Sequence, residues 1–183
     1  MFHAKGFPDF RRQQVGDHRK RTDRDGAVAG RTRLAGPAEL KRAIQSAVDV
    51  FGHMPVFYRS NLFRALAAKL RANRSLVIET IVREAGKVIG ETTTETDRGI
   101  FTTETAADEA KRIDGAVIPL NLPSSKGRFG IVRRFPTGPI AGISPCNFPL
   151  DLTLHKVASA LAPGGPIVLK PPSLAPLTML LIA

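Results

Sequence analysis

One cysteine, one tyrosine and no tryptophan stand in 183 residues, and these shortages exclude several classes of protein. A single cysteine, Cys146, cannot build a framework of intrachain disulfides. Cys146 and the four histidines, His3, His18, His53 and His155, lie too far apart for metal-ligand spacing, so no metal site is expected. No apolar run approaches the roughly 20 residues that cross a bilayer. The first ten residues mix charge, glycine and proline and lack the apolar stretch of a secretory signal, which leaves the cytoplasm as the expected location. A Gly-x-Gly-x-x-Gly loop is also missing, against an ordinary Rossmann dehydrogenase.

What is present is an ordinary globular composition, 43% hydrophobic and 23% charged, on a chain long enough to bury one substantial core. The net charge of +11 invites a nucleic-acid reading. Between residues 1 and 40, nine basic side chains face five acidic ones, and the rest of the surplus is spread along the chain. Arg19-Lys20-Arg21 is the one compact cluster, and no aromatic residues are interleaved with it for bases to stack on. Nucleic acid is therefore the least favoured partner. Residues 1–36 show neither helical nor strand periodicity and read as a basic, disordered leader.

Order is expected from Pro37. Leu40, Ala43, Ile44, Ala47, Val48 and Phe51 form one apolar helical stripe, opened by Pro37 and closed near Gly52. A second helix follows Pro55, with Leu62, Phe63, Leu66, Ala67 and Leu70 on one face. A third covers residues 75–85 and ends at Gly86. Residues 91–113 read as a long helix, although Gly99 and seven threonines are poor helix formers that only tertiary packing could sustain. From Arg128 to Phe135 the period falls to two, the pattern of a strand in a hairpin.

Two short apolar runs follow, residues 140–144 and 167–170, each closed by a proline-framed turn carrying polar groups. With a helix over residues 150–161 between them, they read as a buried strand–helix–strand unit. Asn147 and Lys170 then fall near the carboxyl ends of parallel strands, where ligands gather in open α/β sheets. Helical periodicity resumes at Pro176 and continues to Ala183, an ending that looks like truncation.

The residues Pro145-Cys146-Asn147-Phe148-Pro149-Leu150, His155-Lys156-Val157, Ala160-Leu161-Ala162, Val168-Leu169-Lys170-Pro171 and Pro176-Leu177, with Arg83-Glu84-Ala85-Gly86-Lys87 upstream, resemble the aldehyde dehydrogenase superfamily. Phe148-Pro149-Leu150 close to His155-Lys156-Val157 is similar to its lactaldehyde and non-phosphorylating glyceraldehyde-phosphate branches. The resemblance covers the family's first half. It implies an α/β fold in which N-terminal helices lead into the first strand–helix–strand unit of an incomplete Rossmann-like cofactor domain, here residues 37–183. It also implies that the hairpin region joins an oligomerisation sheet. The family's nucleophilic cysteine, general-base glutamate and glycine-rich turn lie beyond the matched half, so no turnover is expected from this chain alone.

The resemblance also implies roles. Asn147 matches the asparagine whose amide N–H stabilises the thiohemiacetal oxyanion, a donor worth about 2.7–4 kcal/mol in the transition state. Without those matches it reads first as a turn asparagine bonding its own backbone. Lys170 matches the lysine on the ribose hydroxyls of the adenosine half; otherwise it is a lysine snorkelling to the domain edge. Ser173 stands where NAD-preferring members often carry glutamate, so NADP is permitted beside NAD. It also reads as a helix N-cap. Ser144, Pro145 and Cys146 flank the turn whose backbone lines the cofactor groove. Cys146 lacks an activating base and reads as a small buried hydrophobe rather than a nucleophile.

Three functions remain open at this level. One is the N-terminal part of an NAD(P)-dependent aldehyde dehydrogenase, with dinucleotide and a small aldehyde as partners. Another is a non-catalytic dinucleotide-binding or regulatory chain that forms a homo-oligomer or pairs with a full-length homologue. The last is a basic nucleic-acid binder.

Overall fold

The computed structural model describes residues 18–22 and 28–183. Two antiparallel strands, β1 (His18–Thr22) and β2 (Val28–Arg33), come first and pair from His18 opposite Arg33. This corrects the expectation of a wholly disordered leader: the ribbon bears charges on a polar repeat, so no apolar alternation announced it. Residues 1–17 and 23–27 lie outside the described residues, and the expectation for them with it.

Four helices follow: α1 (Pro37–Val50), α2 (Val56–Ala72), α3 (Arg74–Ala85) and α4 (Ile89–Glu109). Pro37 occupies the first turn of α1, and Glu39 reaches back to accept the Gly36 N–H at 2.9 Å. That bond holds the Glu39 carboxyl below its usual pKa. Gly86 ends α3 with φ +65°, a left-handed conformation that glycine adopts without strain.

The threonine-rich α4 is the centre of the helical layer and packs against α2, α3 and α5. Thr92, Thr96 and Thr103 are buried, and each hydroxyl donates to the carbonyl four residues back. Such back-bonding satisfies the buried hydroxyls within the helix itself. Gly99 faces α5 (Asp151–Leu161): a Cβ there would lie 2.9 Å from Leu154 Cδ1 and 3.1 Å from Leu150 Cδ2. Close approach, not propensity, explains the glycine. The main core joins Leu70, Val77, Ile81, Ile100, Leu150 and Leu154, and a second cluster places Phe63 against Ala106, Ala107, Ala110 and Ala162.

The hairpin is β3 (Ala116–Pro119) with β4 (Phe129–Val132), antiparallel, with Val117 opposite Ile131. The strand is shorter than residues 128–135, and both faces of the hairpin are open: Val117 and Phe129 on one face are 70% and 67% exposed, and Ile118 and Val132 on the other are 44% exposed each. The strand–helix–strand unit forms as expected. Parallel strands β5 (Ile140–Ile143) and β6 (Ile167–Lys170) flank α5, with Ile143 opposite Lys170, and α6 (Leu177–Ile182) follows. The strands are not buried as expected: Ala141 and Ile143 of β5 are exposed and residues 167–169 of β6 are half-buried, because a two-stranded sheet leaves one face without a covering layer. The apolar stripe of α1 is only half covered. Ala47 is buried, whereas Leu40, Ile44 and Val48 remain about half exposed.

Candidate functional site

The carboxyl ends of β5 and β6 bring most of the candidate residues to one edge. Ser144 follows β5 and donates its N–H to the Lys170 carbonyl at 3.2 Å. Its hydroxyl points inward, where it accepts from Thr153 Oγ1 at 2.8 Å. Ser144 thus ties the strand to α5 and is buried. Pro145 is half-buried, whereas Cys146 and Asn147 are exposed on the turn. The exposed thiol corrects the expectation that Cys146 is a buried hydrophobe, because the turn leaves the sheet before any layer covers it.

Asn147 has its backbone held and its side chain unspent. Its carbonyl accepts from Lys87 Nζ at 3.0 Å, while its carboxamide makes no hydrogen bond among the described residues. The amide N–H groups therefore remain available to a ligand at the sheet edge.

Lys170 and Ser173 meet on the neighbouring turn. Lys170 Nζ donates to Ser173 Oγ at 3.0 Å and to the Pro171 carbonyl at 3.2 Å, and both side chains are exposed. An ammonium beside a hydroxyl at an open strand end can meet sugar hydroxyls or a phosphate. Ser173 is not a helix cap. α6 starts four residues later without a side-chain cap from its own N-terminus. Its first donors go instead to Glu84 of α3: Leu177 N–H at 2.6 Å and Thr178 N–H at 2.8 Å, with the Thr178 hydroxyl joining them.

A second glutamate does the same for α5. Glu95 of α4 is fully buried, and its Oε1 accepts the N–H of Leu150 at 2.9 Å and of Asp151 at 3.3 Å. Its Oε2 pairs with Lys87 Nζ at 2.7 Å, so the buried charge has a partner. The same ammonium stands 3.8 Å from the centre of the Phe148 ring. Asp151, also buried, meets Arg98 at 3.2 Å and His155 at 3.4 Å.

An apolar groove of about 540 Å³ lies elsewhere, between α1, α2 and β6, lined by Ala47, Leu62, Leu161, Ile167 and Leu169 among others. Arg59 enters it, and burial lowers that guanidinium's pKa. None of the six candidate residues lines this groove.

The model of the Aldehyde dehydrogenase family matches residues 11–183. The chain belongs to the aldehyde dehydrogenase family. A lactaldehyde dehydrogenase of Methanocaldococcus jannaschii is 34% identical over 79% of this chain and 31% of its own length. Aldehyde dehydrogenase 21 of Physcomitrella patens, solved with the reaction product succinate, superposes with a TM-score of 0.90 at 35% identity, over 93% of this chain and 36% of that one. The glyceraldehyde-3-phosphate dehydrogenase GapN of Methanocaldococcus jannaschii, solved with NADP, gives a TM-score of 0.80 at 31% identity, over 90% and 36%. The lactaldehyde and glyceraldehyde-phosphate branches indicated by the turn residues are thus both among the relatives. This aldehyde dehydrogenase chain spans about a third of the length of the curated relatives it matches. Among its described residues, no helix is long and apolar enough to cross a membrane.

Sequence reasoning singled out Arg83-Glu84-Ala85-Gly86-Lys87 in this aldehyde dehydrogenase chain only as a landmark and gave Glu84, Lys87 and Glu95 no task. A usable signal existed. Val77, Ile81 and Glu84 follow one another at helical spacing, so Glu84 continues a buried face that a free carboxylate would avoid.

Proposed function

We propose that this chain is the N-terminal part of an NAD(P)-dependent aldehyde dehydrogenase, which oxidises an aldehyde to a carboxylic acid through a thiohemiacetal. Residues 37–183 are then part of the cofactor-binding domain, following the ribbon of β1 and β2. The observation that carries this reading is the shared edge. The unspent carboxamide of Asn147 and the Lys170–Ser173 pair stand at the carboxyl ends of two adjacent parallel strands.

In this reading Lys170 and Ser173 hold the adenosine ribose, with Ser173 leaving room for a 2′-phosphate. The backbone of Ser144, Pro145 and Cys146 borders the groove. The exposed cation and hydroxyl suit such a ligand. When bound, the dinucleotide supplies the hydride acceptor. Asn147 donates its amide N–H to the oxygen that gains negative charge, and it does so without moving a proton. Cys146 has no base within its turn to activate it, so the nucleophile is not this thiol.

The test is calorimetric titration of the purified chain with NAD+ and NADP+, followed by an assay with a small aldehyde. Saturable dinucleotide binding without turnover is expected. Absence of binding to both dinucleotides overturns the cofactor assignment, and cofactor-dependent oxidation by the chain alone overturns its inactivity.

A second reading, an interaction chain that pairs with itself or with a full-length homologue, is favoured by the hairpin. Val117, Phe129 and Ile131 are all exposed on β3 and β4. Sedimentation of the chain alone and mixed with a full-length family member distinguishes the two arrangements.

A further inference from the structure

We propose that Lys87 and Glu95 are positioning residues for Asn147, acting as a charged clamp that fixes the turn from beneath while leaving the asparagine carboxamide free. The inference rests on the oxyanion role proposed for Asn147 and extends it to two side chains on other elements.

Three contacts converge on one ammonium. Lys87 Nζ donates to Glu95 Oε2 at 2.7 Å and to the Asn147 carbonyl at 3.0 Å, and it stands 3.8 Å from the centre of the Phe148 ring. The pair is withdrawn from water, with the Lys87 side chain 12% exposed and that of Glu95 not exposed at all. Little solvent is left to screen it, and its geometry is correspondingly stiff. The other oxygen of Glu95 accepts from Leu150 and Asp151, at the start of α5. The turn between β5 and α5 is therefore gripped at both of its loose points. The lysine holds the residue that carries the amide, and the glutamate holds the helix that follows.

This division of labour has a chemical reason. An oxyanion donor loses effect when it must reorganise as charge develops, so its backbone has to be held by groups other than the donor itself. Here the carbonyl of Asn147 is used for anchoring and the carboxamide is not. Lys87 stands on the connection from α3 to α4 and Glu95 within α4, so the helical layer, not the parallel strand pair, sets where Asn147 points.

The experiment follows the Asn147 carbonyl carbon and side-chain NH2 resonances by NMR in the full 183-residue chain. Lys87→Met alone leaves a buried carboxylate without its partner and risks unfolding. The informative variant is therefore the double change Lys87→Met with Glu95→Gln, which removes both charges and keeps an oxygen acceptor for Leu150 and Asp151. The expected result is a shift of the Asn147 carbonyl resonance and a loss of side-chain NH2 order, with exchange protection of the Leu150 amide retained. Lys87→Arg, which keeps a cationic donor, brings the Asn147 signals back toward the wild type. Unchanged Asn147 signals in the folded double variant, or no recovery in Lys87→Arg, overturn the proposal. NAD+ and NADP+ titration of the unaltered chain separates the two readings. Absence of binding there removes the functional assignment of the site, while the clamp is still judged by the spectra.

Discussion

Glu84 at the end of α3 accepts hydrogen bonds from both the N–H and the hydroxyl of Thr178, 94 residues further along the chain. With the Leu177 N–H as a third donor, one buried carboxylate takes the place of a local cap for α6. Glu84→Ala leaves buried donors without acceptors, and each such group costs about 1–3 kcal/mol. The variant is expected to lose about 3 kcal/mol in urea unfolding, with amide protection of α6 lost and that of α2 kept. Unchanged protection of residues 177–182 would show that α6 is held by other means.

The contact of α4 with α5 predicts opposite signs at two glycines of one helix. Gly99→Leu forces side-chain atoms into Leu150 and Leu154 and is expected to destabilise by about 1–3 kcal/mol. A Cβ at Gly90 meets nothing within 4 Å, so Gly90→Ala is expected to stabilise by about 0.5–1 kcal/mol through backbone entropy. Thermal unfolding of the two variants gives both signs directly.

Arg74 grips Asp97 with two bonds, 2.7 and 2.8 Å long, on the surface between α3 and α4. The hydrogen bonds from Arg74 hold the Asp97 carboxyl below its ordinary value of 3.8. A lowered folded-state pKa contributes stability above the unfolded pKa and loses it as pH falls through the folded one. The advantage of the wild type over Asp97→Asn should thus be present at neutral pH, shrink below about pH 4 and vanish in stronger acid. Both groups are exposed, so 1 M salt should weaken the difference as well. Denaturation midpoints at several pH values check this, and a difference that grows in acid would contradict it.

The cofactor reading makes a two-part prediction at the strand ends. Lys170→Met removes a charge-assisted bond worth about 1.5–3 kcal/mol and should weaken NAD+ and NADP+ binding about ten- to hundredfold. Ser173→Glu places a carboxylate beside the 2′ position and should weaken NADP+ far more than NAD+. Calorimetric titration of each variant with both dinucleotides reads the two effects, and equal losses for Ser173→Glu would remove Ser173 from the ribose.

Much of the fold was legible. The repeat through Phe63, Ala67 and Leu70 marks the buried face of α2, that of α1 marks the helix although only Ala47 of its stripe is buried, and Gly86 marks a helix end. Prolines bracket the apolar runs that became β5 and β6. The ribbon of β1 and β2 was not legible, because its register joins charged and small residues such as Lys20 with Arg31 and leaves no apolar alternation to detect. The long helix α4 runs against the propensity of its glycines and threonines. The buried threonine hydroxyls and the fit of Gly99 against α5 supply the physical reason for it.

At the candidate site, the sequence by itself determined which chemical groups stand at the two strand ends: an amide at Asn147, an ammonium at Lys170 and a hydroxyl at Ser173. Strand length and proline punctuation are local properties, readable from neighbours along the chain. The tertiary structure alone decided how those groups are held. Leu150 is 55 residues from Glu95, and Thr178 is 94 from Glu84. A carboxylate can be buried only where donors converge on it, and no local pattern records donors that arrive from a different turn.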